Sequence, residues 1–165
     1  MEIRNTQPED LDAVMALYAA ARDFMHQNGN PTQWVNGYPR RELISREIEE
    51  KKSFVCLDGG VPVAVFSFIL GEDPTYAVIY DGAWLDNAPY GVVHRICVGK
   101  RGAGIGAFCL RWCLEQCGNV RIDTHRDNLQ MQSLVRKCGF VYCGRITIED
   151  GSERLAFQKK EQGER

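Results

Sequence analysis

The chain lacks any long hydrophobic run. No apolar stretch approaches the roughly 20 residues that a membrane-spanning helix requires, and Met1-Glu2-Ile3-Arg4 does not read as a secretion signal. Charge of one sign is also missing: 20 Lys and Arg against 22 Asp and Glu leave a net charge of −2. A nucleic-acid face or an anionic membrane surface calls for a basic excess, so neither partner is expected. Histidine is scarce, with three residues. No C-x-x-C pair occurs among the seven cysteines. An odd number of thiols without a secretion signal points to the cytoplasm, where thiols stay reduced. Cys109, Cys113 and Cys117 recur every four residues, a spacing open to metal binding. Cys109 and Cys113 share an apolar stripe with Ile105, however, where free cysteine packs as a small hydrophobe, and no metal is expected.

What is present is an ordinary globular balance, 44% hydrophobic and 25% charged over 165 residues, which predicts one domain with a sizeable core. Glu2–Asn5 reads as a strand, and Thr6-Gln7-Pro8-Glu9 as a capping box. Leu11, Val14, Tyr18, Ala21 and Met25 follow at helical spacing. A turn-rich loop over 27–39 precedes a second helix, about Arg40–Lys51. Asp58-Gly59-Gly60 signals a hairpin between strands at Ser53–Leu57 and Val61–Leu70. A strand is possible at Tyr76–Tyr80. Further strands are expected at Tyr90–Val98 and Val120–Thr124, and helices at Gly104–Gln116 and Asn128–Lys137. A closing hairpin is expected around Asp150-Gly151, and Lys159–Arg165 reads as a frayed tail. Alternating strands and helices define an α/β fold with a mixed sheet.

The run Val92-Val93-His94-Arg95-Ile96-Cys97-Val98 leads into Arg101-Gly102-Ala103-Gly104-Ile105-Gly106. A β-branched strand thus feeds a glycine-rich turn that opens a helix. Backbone N–H groups at a helix start, aided by the helix dipole, bind phosphate. A nucleotide-hydrolase loop would end in Gly-Lys-Ser/Thr, which is absent here. A dinucleotide fingerprint needs a third glycine where Cys109 stands, although Asp123 lies where a ribose-binding acid is expected.

Arg101–Gly106 resembles the R-G-x-G-I-G signature of the GNAT superfamily of acetyl-CoA-dependent N-acetyltransferases. Asn128-Leu129-Gln130-Met131-Gln132-Ser133-Leu134-Val135-Arg136-Lys137-Cys138-Gly139-Phe140 is similar to the family's second block, N-x-x-A-x-x-L-Y-x-K-x-G-F. The resemblance implies a single-domain, mostly antiparallel twisted sheet of about six or seven strands with about four helices. It implies acetyl-CoA as co-substrate. Backbone of Ile96 and Val98 would pair with pantetheine, an N–H near Ile96 or Cys97 would meet the thioester oxygen, and Arg101, Gly102, Ala103, Gly104, Ile105 and Gly106 would hold the pyrophosphate. Asn128 would contact the pantetheine arm, or cap its helix, or both. The chain departs from the pattern at Val98-Gly99-Lys100-Arg101, which is two residues short and lacks proline. Gly99 is expected to absorb the tighter turn through a positive φ. Val135 stands where the family often has the tyrosine that protonates the thiolate.

For a general base, His94 on the strand comes first, with packing in the sheet as the alternative. His125 and Asp123 come next, with Asp123 orienting His125, or both serving a capping network with Arg126, Asp127 and Asn128. Trp34, Tyr38 and Trp84 sit in turn-rich segments, where they can wall a substrate pocket or plug a local core. Asp81 and Asp86 can pair with a cationic amine or lie solvated. The expected substrate is a primary amine on a small molecule or exposed peptide, and a homodimer is possible. A non-catalytic acyl-CoA binder of the same fold and a dinucleotide-dependent protein remain as alternatives.

Overall fold

The structure, a computed structural model, describes residues 1–162. Its elements are β1 (Glu2–Asn5), α1 (Leu11–Gln27), α2 (Arg41–Glu49), β2 (Ser53–Asp58), β3 (Val61–Leu70), β4 (Gly91–Val98), α3 (Ile105–Cys117), β5 (Asn119–Thr124), α4 (Leu129–Lys137), β6 (Val141–Thr147) and β7 (Glu153–Lys160). The strands run in the order β1-β2-β3-β4-β5-β7-β6. β4 and β5 are parallel, at Gly91–Val120 and Val92–Arg121. The pairs β1–β2, β2–β3, β5–β7 and β6–β7 are antiparallel. The sheet is therefore mixed and mostly antiparallel, with four α-helices among the described residues. None of these helices is long and apolar enough to cross a membrane. The chain gathers into two compact units, one of Met1–Phe68 with His94–Cys109 and one of Ile69–Val93 with Leu110 onward.

In the first unit, the stripe of α1 does what its spacing predicts. Val14 and Tyr18 are buried against Ile44 and Ile48 of α2, Val55 and Leu57 of β2, and Val65 of β3, with Leu11, Ala21 and Met25 at the margin. Each fully buried aliphatic side chain contributes about 1.5–3 kcal/mol relative to exposure. The capping box lies one residue later than the sequence suggests. Thr6 is buried, with its hydroxyl 2.8 Å from that of Ser53. Gln7 donates its N–H to Asp10 Oδ2 at 2.8 Å, and the Asp10 N–H donates to the Gln7 carbonyl at 2.9 Å. Arg4 donates to the same Oδ2 at 2.7 Å. The Arg4 bond and the Gln7 N–H hold the Asp10 carboxyl below the usual carboxylate range. A depressed native pKa gives stability that is present above the unfolded value, near pH 4, and is lost as pH falls further. Asp10→Ala is expected to cost about 1 kcal/mol at pH 7, the usual worth of a helix cap, and almost nothing near pH 2. Chemical denaturation of both proteins at the two pH values checks this.

In the second unit, Tyr76, Val92, Ile146 and Ala156 form the core, with Ile79, Trp84 and Tyr90 packed on it. The strand considered at Tyr76–Tyr80 does not form. Pro74–Tyr76 is a 3-10 turn, because Pro74 cannot donate to a ladder. Only Tyr80 pairs, as an isolated bridge to Arg145. The tail is shorter than expected, since Lys159 and Lys160 continue β7 opposite Val120 and Asn119. Residues 163–165 of that expected tail lie outside the described residues.

Candidate active site

Within the first unit, β4 carries Arg95, whose φ of 54° is left-handed inside a strand. Such a conformation departs from the extended backbone of a regular strand. The Arg95 side chain turns onto buried Glu47 of α2. It also donates to Ser67 Oγ at 3.0 Å and to the Tyr38 hydroxyl at 2.8 Å. Burial works against this charge, but Tyr38, Glu47 and Tyr18 together hold its pKa above the ordinary value. Ser67 donates in turn to Glu47. Cys97, two residues on, is 3% exposed and joins the core of α1, α2 and β2. Burial pushes its thiol far up despite the pull of Arg95. Since the thiolate is the nucleophile, Cys97 is not poised to take an acyl group.

Past β4 the chain makes an exposed turn at 101–104 and enters α3 at Ile105. Gly102 and Gly104 take φ values of 73° and 72°, a region that L side chains rarely occupy. An added Cβ at either would meet no atom within 4 Å. The first N–H groups of α3 have no intrahelical acceptor by helix geometry. The turn is thus an open cradle of backbone donors, which fits a pyrophosphate. Arg101, at its edge, lies over the ring of Phe24. Gly99 serves a purpose other than the one expected. Its φ is not positive. Its N–H donates to the Val63 carbonyl at 2.8 Å, and a Cβ there would come within 2.8 Å of Leu17 Cδ2. A side chain there would have to displace the tip of Leu17 of α1, and no left-handed turn is involved.

Ile96 and Val98 are half-buried on β4, as is His94 directly before Arg95. Of the two aromatics in 27–39, Trp34 is 5% exposed and packs near Tyr18, with centroids 5.9 Å apart. It is a core residue. Tyr38 is half-buried and tied to Arg95.

The second unit holds the other candidates. Asp123, near the end of β5, accepts a 2.6 Å hydrogen bond from the hydroxyl of buried Tyr76. Burial, followed by the charge of Asp123, raises the Tyr76 pKa well above its ordinary value, so the phenol keeps its proton. His125 Nδ1 accepts the N–H of Asp127 at 3.0 Å. Burial lowers the His125 pKa first. Arg154 lowers it further, Asp127 opposes, and Arg126 lowers it again. The ring is therefore neutral at pH 7, with its Nδ1 lone pair engaged and its proton on Nε2. That tautomer donates and does not take a proton, which favours the loop network over the base. Asn128 caps α4, accepting from the Met131 N–H at 3.1 Å. Val135 is fully buried. Trp84 packs on Tyr76 and donates Nε1–H to its carbonyl at 2.9 Å. Arg121 lies over Trp84. The loop acids are engaged as well: Asp81 pairs with Arg145 and Asp86 with Lys160. Neither needs a substrate cation for charge balance. Cys109 and Cys113 are fully buried, as their apolar stripe predicts.

Glu47, Ser67 and Arg95 are absent from the sequence reading. A signal for them existed. Glu47 falls on the inward face of α2 between Ile44 and Ile48, and a carboxylate placed there needs a cation. Arg95 is the cation within the apolar run of β4.

The model of the "Acetyltransferase (GNAT) family" matches residues 14–140. A GNAT-family acetyltransferase from Streptococcus agalactiae is 33% identical, with a TM-score of 0.89 over 98% of this chain and 95% of that one. A GNAT-family acetyltransferase from Listeria monocytogenes shares the fold at 17% identity, with a TM-score of 0.69 over 97% and 94%. A ribosomal-protein-alanine N-acetyltransferase from Brucella melitensis shares it at 20%, with a TM-score of 0.62 over 98% and 100%. No curated protein matches.

Proposed function

We propose, on the premise that the chain belongs to the GNAT acetyltransferase family, that it moves an acetyl group from acetyl-CoA to a primary amine by direct attack on the thioester. One observation carries the reading: a strand with a left-handed residue at Arg95 feeds an exposed turn with two left-handed glycines at the start of α3. In this reading the turn 101–106 and the α3 N-terminus hold the pyrophosphate. The backbone of Ile96 and Val98 lines the pantetheine, and an N–H near Ile96 or Cys97 meets the developing oxyanion. The lone pair of the neutral amine forms the new C–N bond, and the C–S bond breaks. The amine proton passes to a base, and the electron pair stays on sulfur. A thiolate whose conjugate acid has a pKa near 8.5 leaves without a donor at position 135. The buried Cys97 thiol is out of play, which supports direct attack over an acyl-enzyme. The acceptor is a small-molecule amine or an exposed peptide amine, and the seven free thiols suit the cytoplasm.

The test is acetyl-CoA-dependent thiol release across a panel of amines, with His94→Ala and Asp123→Asn alongside the parent protein. The residue that serves as base lowers kcat while leaving the KM for acetyl-CoA unchanged, as general-base loss does. Release that never exceeds the amine-free blank, from a protein that still binds acetyl-CoA, makes this chain a binder and not an enzyme.

A further inference from the structure

We propose that the cavity beside His125 in the second unit receives an anionic group, a carboxylate or phosphate, carried by the acceptor amine; this rests on the reading above. The cavity measures about 470 Å³ and lies between the β5–α4 turn and the start of β7. That size suits a small ligand. Arg126, Arg145 and Arg154 line it against a single carboxylate among its walls, Glu153. Arg145 is clamped between Asp81 and Glu153, so it acts as a fixed wall. Arg154 is 6% exposed, and its Nη1 donates at 3.0 Å to both Ser152 Oγ and the Glu153 carbonyl. Arg126 is exposed at the rim. His125 completes the lining as a neutral ring whose Nε2 bears the proton. Guanidinium forks beside a neutral N–H donor match the oxygens of a carboxylate or phosphate.

Position sets this pocket close to Asp123, one of the candidate bases in the same unit. His125 directly follows β5, two residues after Asp123. Ala156 of β7 pairs with Asp123, and Arg154 lies two residues earlier on the same strand. Two residues of strand span about 7 Å. An acceptor anchored here would carry its amine a few bonds from its anion, as an amino acid or a short aminoalkyl phosphate does. A second source of such an anion is the 3′-phosphate of CoA, and the experiment separates the two.

Thiol release is measured with each α-amino acid against its amide, and with aminoalkyl phosphates against the matching amino alcohols. The best anionic acceptor is expected to show a KM at least about tenfold below its neutral counterpart, the worth of one charge-assisted hydrogen bond. Arg126→Glu, at an exposed position that spares the fold, should raise that KM about tenfold or more. It should leave the KM values for acetyl-CoA and for the neutral amine unchanged. No preference for the anionic partner, including no turnover of any anionic amine, overturns the proposal. So does an Arg126→Glu effect on acetyl-CoA that disappears with its 3′-dephospho form. A parallel thermal shift with acetyl-CoA keeps the two readings apart. Its absence defeats the proposed function, whereas a shift without anion preference defeats the pocket assignment alone.

Discussion

Gly104→Val is expected to weaken acetyl-CoA binding at least about 100-fold while the protein stays folded. The two effects separate because of what surrounds the position. A Cβ at Gly104 meets no protein atom within 4 Å, so the fold registers only the strain of a side chain at a φ of 72°. That strain is about 1–2 kcal/mol, a fall in Tm of roughly 2–8 °C for a domain of this size. The new side chain instead fills the space over the turn where a pyrophosphate would approach the backbone. Losing two charge-assisted hydrogen bonds costs about 3–6 kcal/mol, which exceeds two decades in affinity. Gly59→Val is the control. Gly59 has a φ of 56° and open space at its Cβ, but it lies in the β2–β3 hairpin turn. It should lower Tm similarly and leave binding intact. Calorimetric titration of both variants with acetyl-CoA reads the difference.

Glu47→Ala is expected to cost about 3–5 kcal/mol of stability, because it strands the Arg95 guanidinium in the core. The side chains of Arg95 and Glu47 are only 12% and 8% exposed, so water cannot take over the lost partner. The fall in Tm should be roughly 6–20 °C. Replacing both partners with apolar residues, Glu47→Leu with Arg95→Met, should recover at least half of that loss, since an apolar pair of similar volume avoids the stranded charge. Denaturant unfolding of the single and double variants checks both statements. A loss below about 1 kcal/mol for Glu47→Ala would mean that the pair is solvated.

Much of the fold was legible because its signals are local. The stripe Leu11, Val14, Tyr18, Ala21, Met25 needs only helical spacing, and it gave α1. Asp58-Gly59-Gly60 needs only turn chemistry, and it gave the β2–β3 hairpin. Asn128 caps α4 as its position before the helix predicts. What stayed hidden depends on partners distant in the chain. Thr6 reads as a cap by sequence, but Ser53 claims its hydroxyl. Gly99 reads as a left-handed turn glycine, but its φ is not positive and its near neighbour is the tip of Leu17. The left-handed Arg95 is tied to Glu47, Ser67 and Tyr38, which lie 28 to 57 positions away in the chain. No periodicity within β4 encodes that. The form of the glycine turn was legible, since left-handed Gly102 and Gly104 follow from glycine spacing alone. The base was the least legible, since one histidine in a strand carries no pattern. His125 has its Nδ1 engaged by the Asp127 N–H and its pKa lowered by burial, so the proposed test of the base is made at His94 and Asp123.

The central claim is that the turn after β4 holds CoA, and a thermal shift with acetyl-CoA, CoA and NAD in parallel tests it most directly. At a hundredfold excess over Kd, binding adds about 2.7 kcal/mol, a rise in Tm of roughly 5–10 °C for a chain of this length. Shifts of that size with acetyl-CoA and CoA, and none with NAD, are the predicted result. A shift with NAD alone would contradict the account and make the Gly104–Gly106 turn a dinucleotide site, with Asp123 as its ribose ligand.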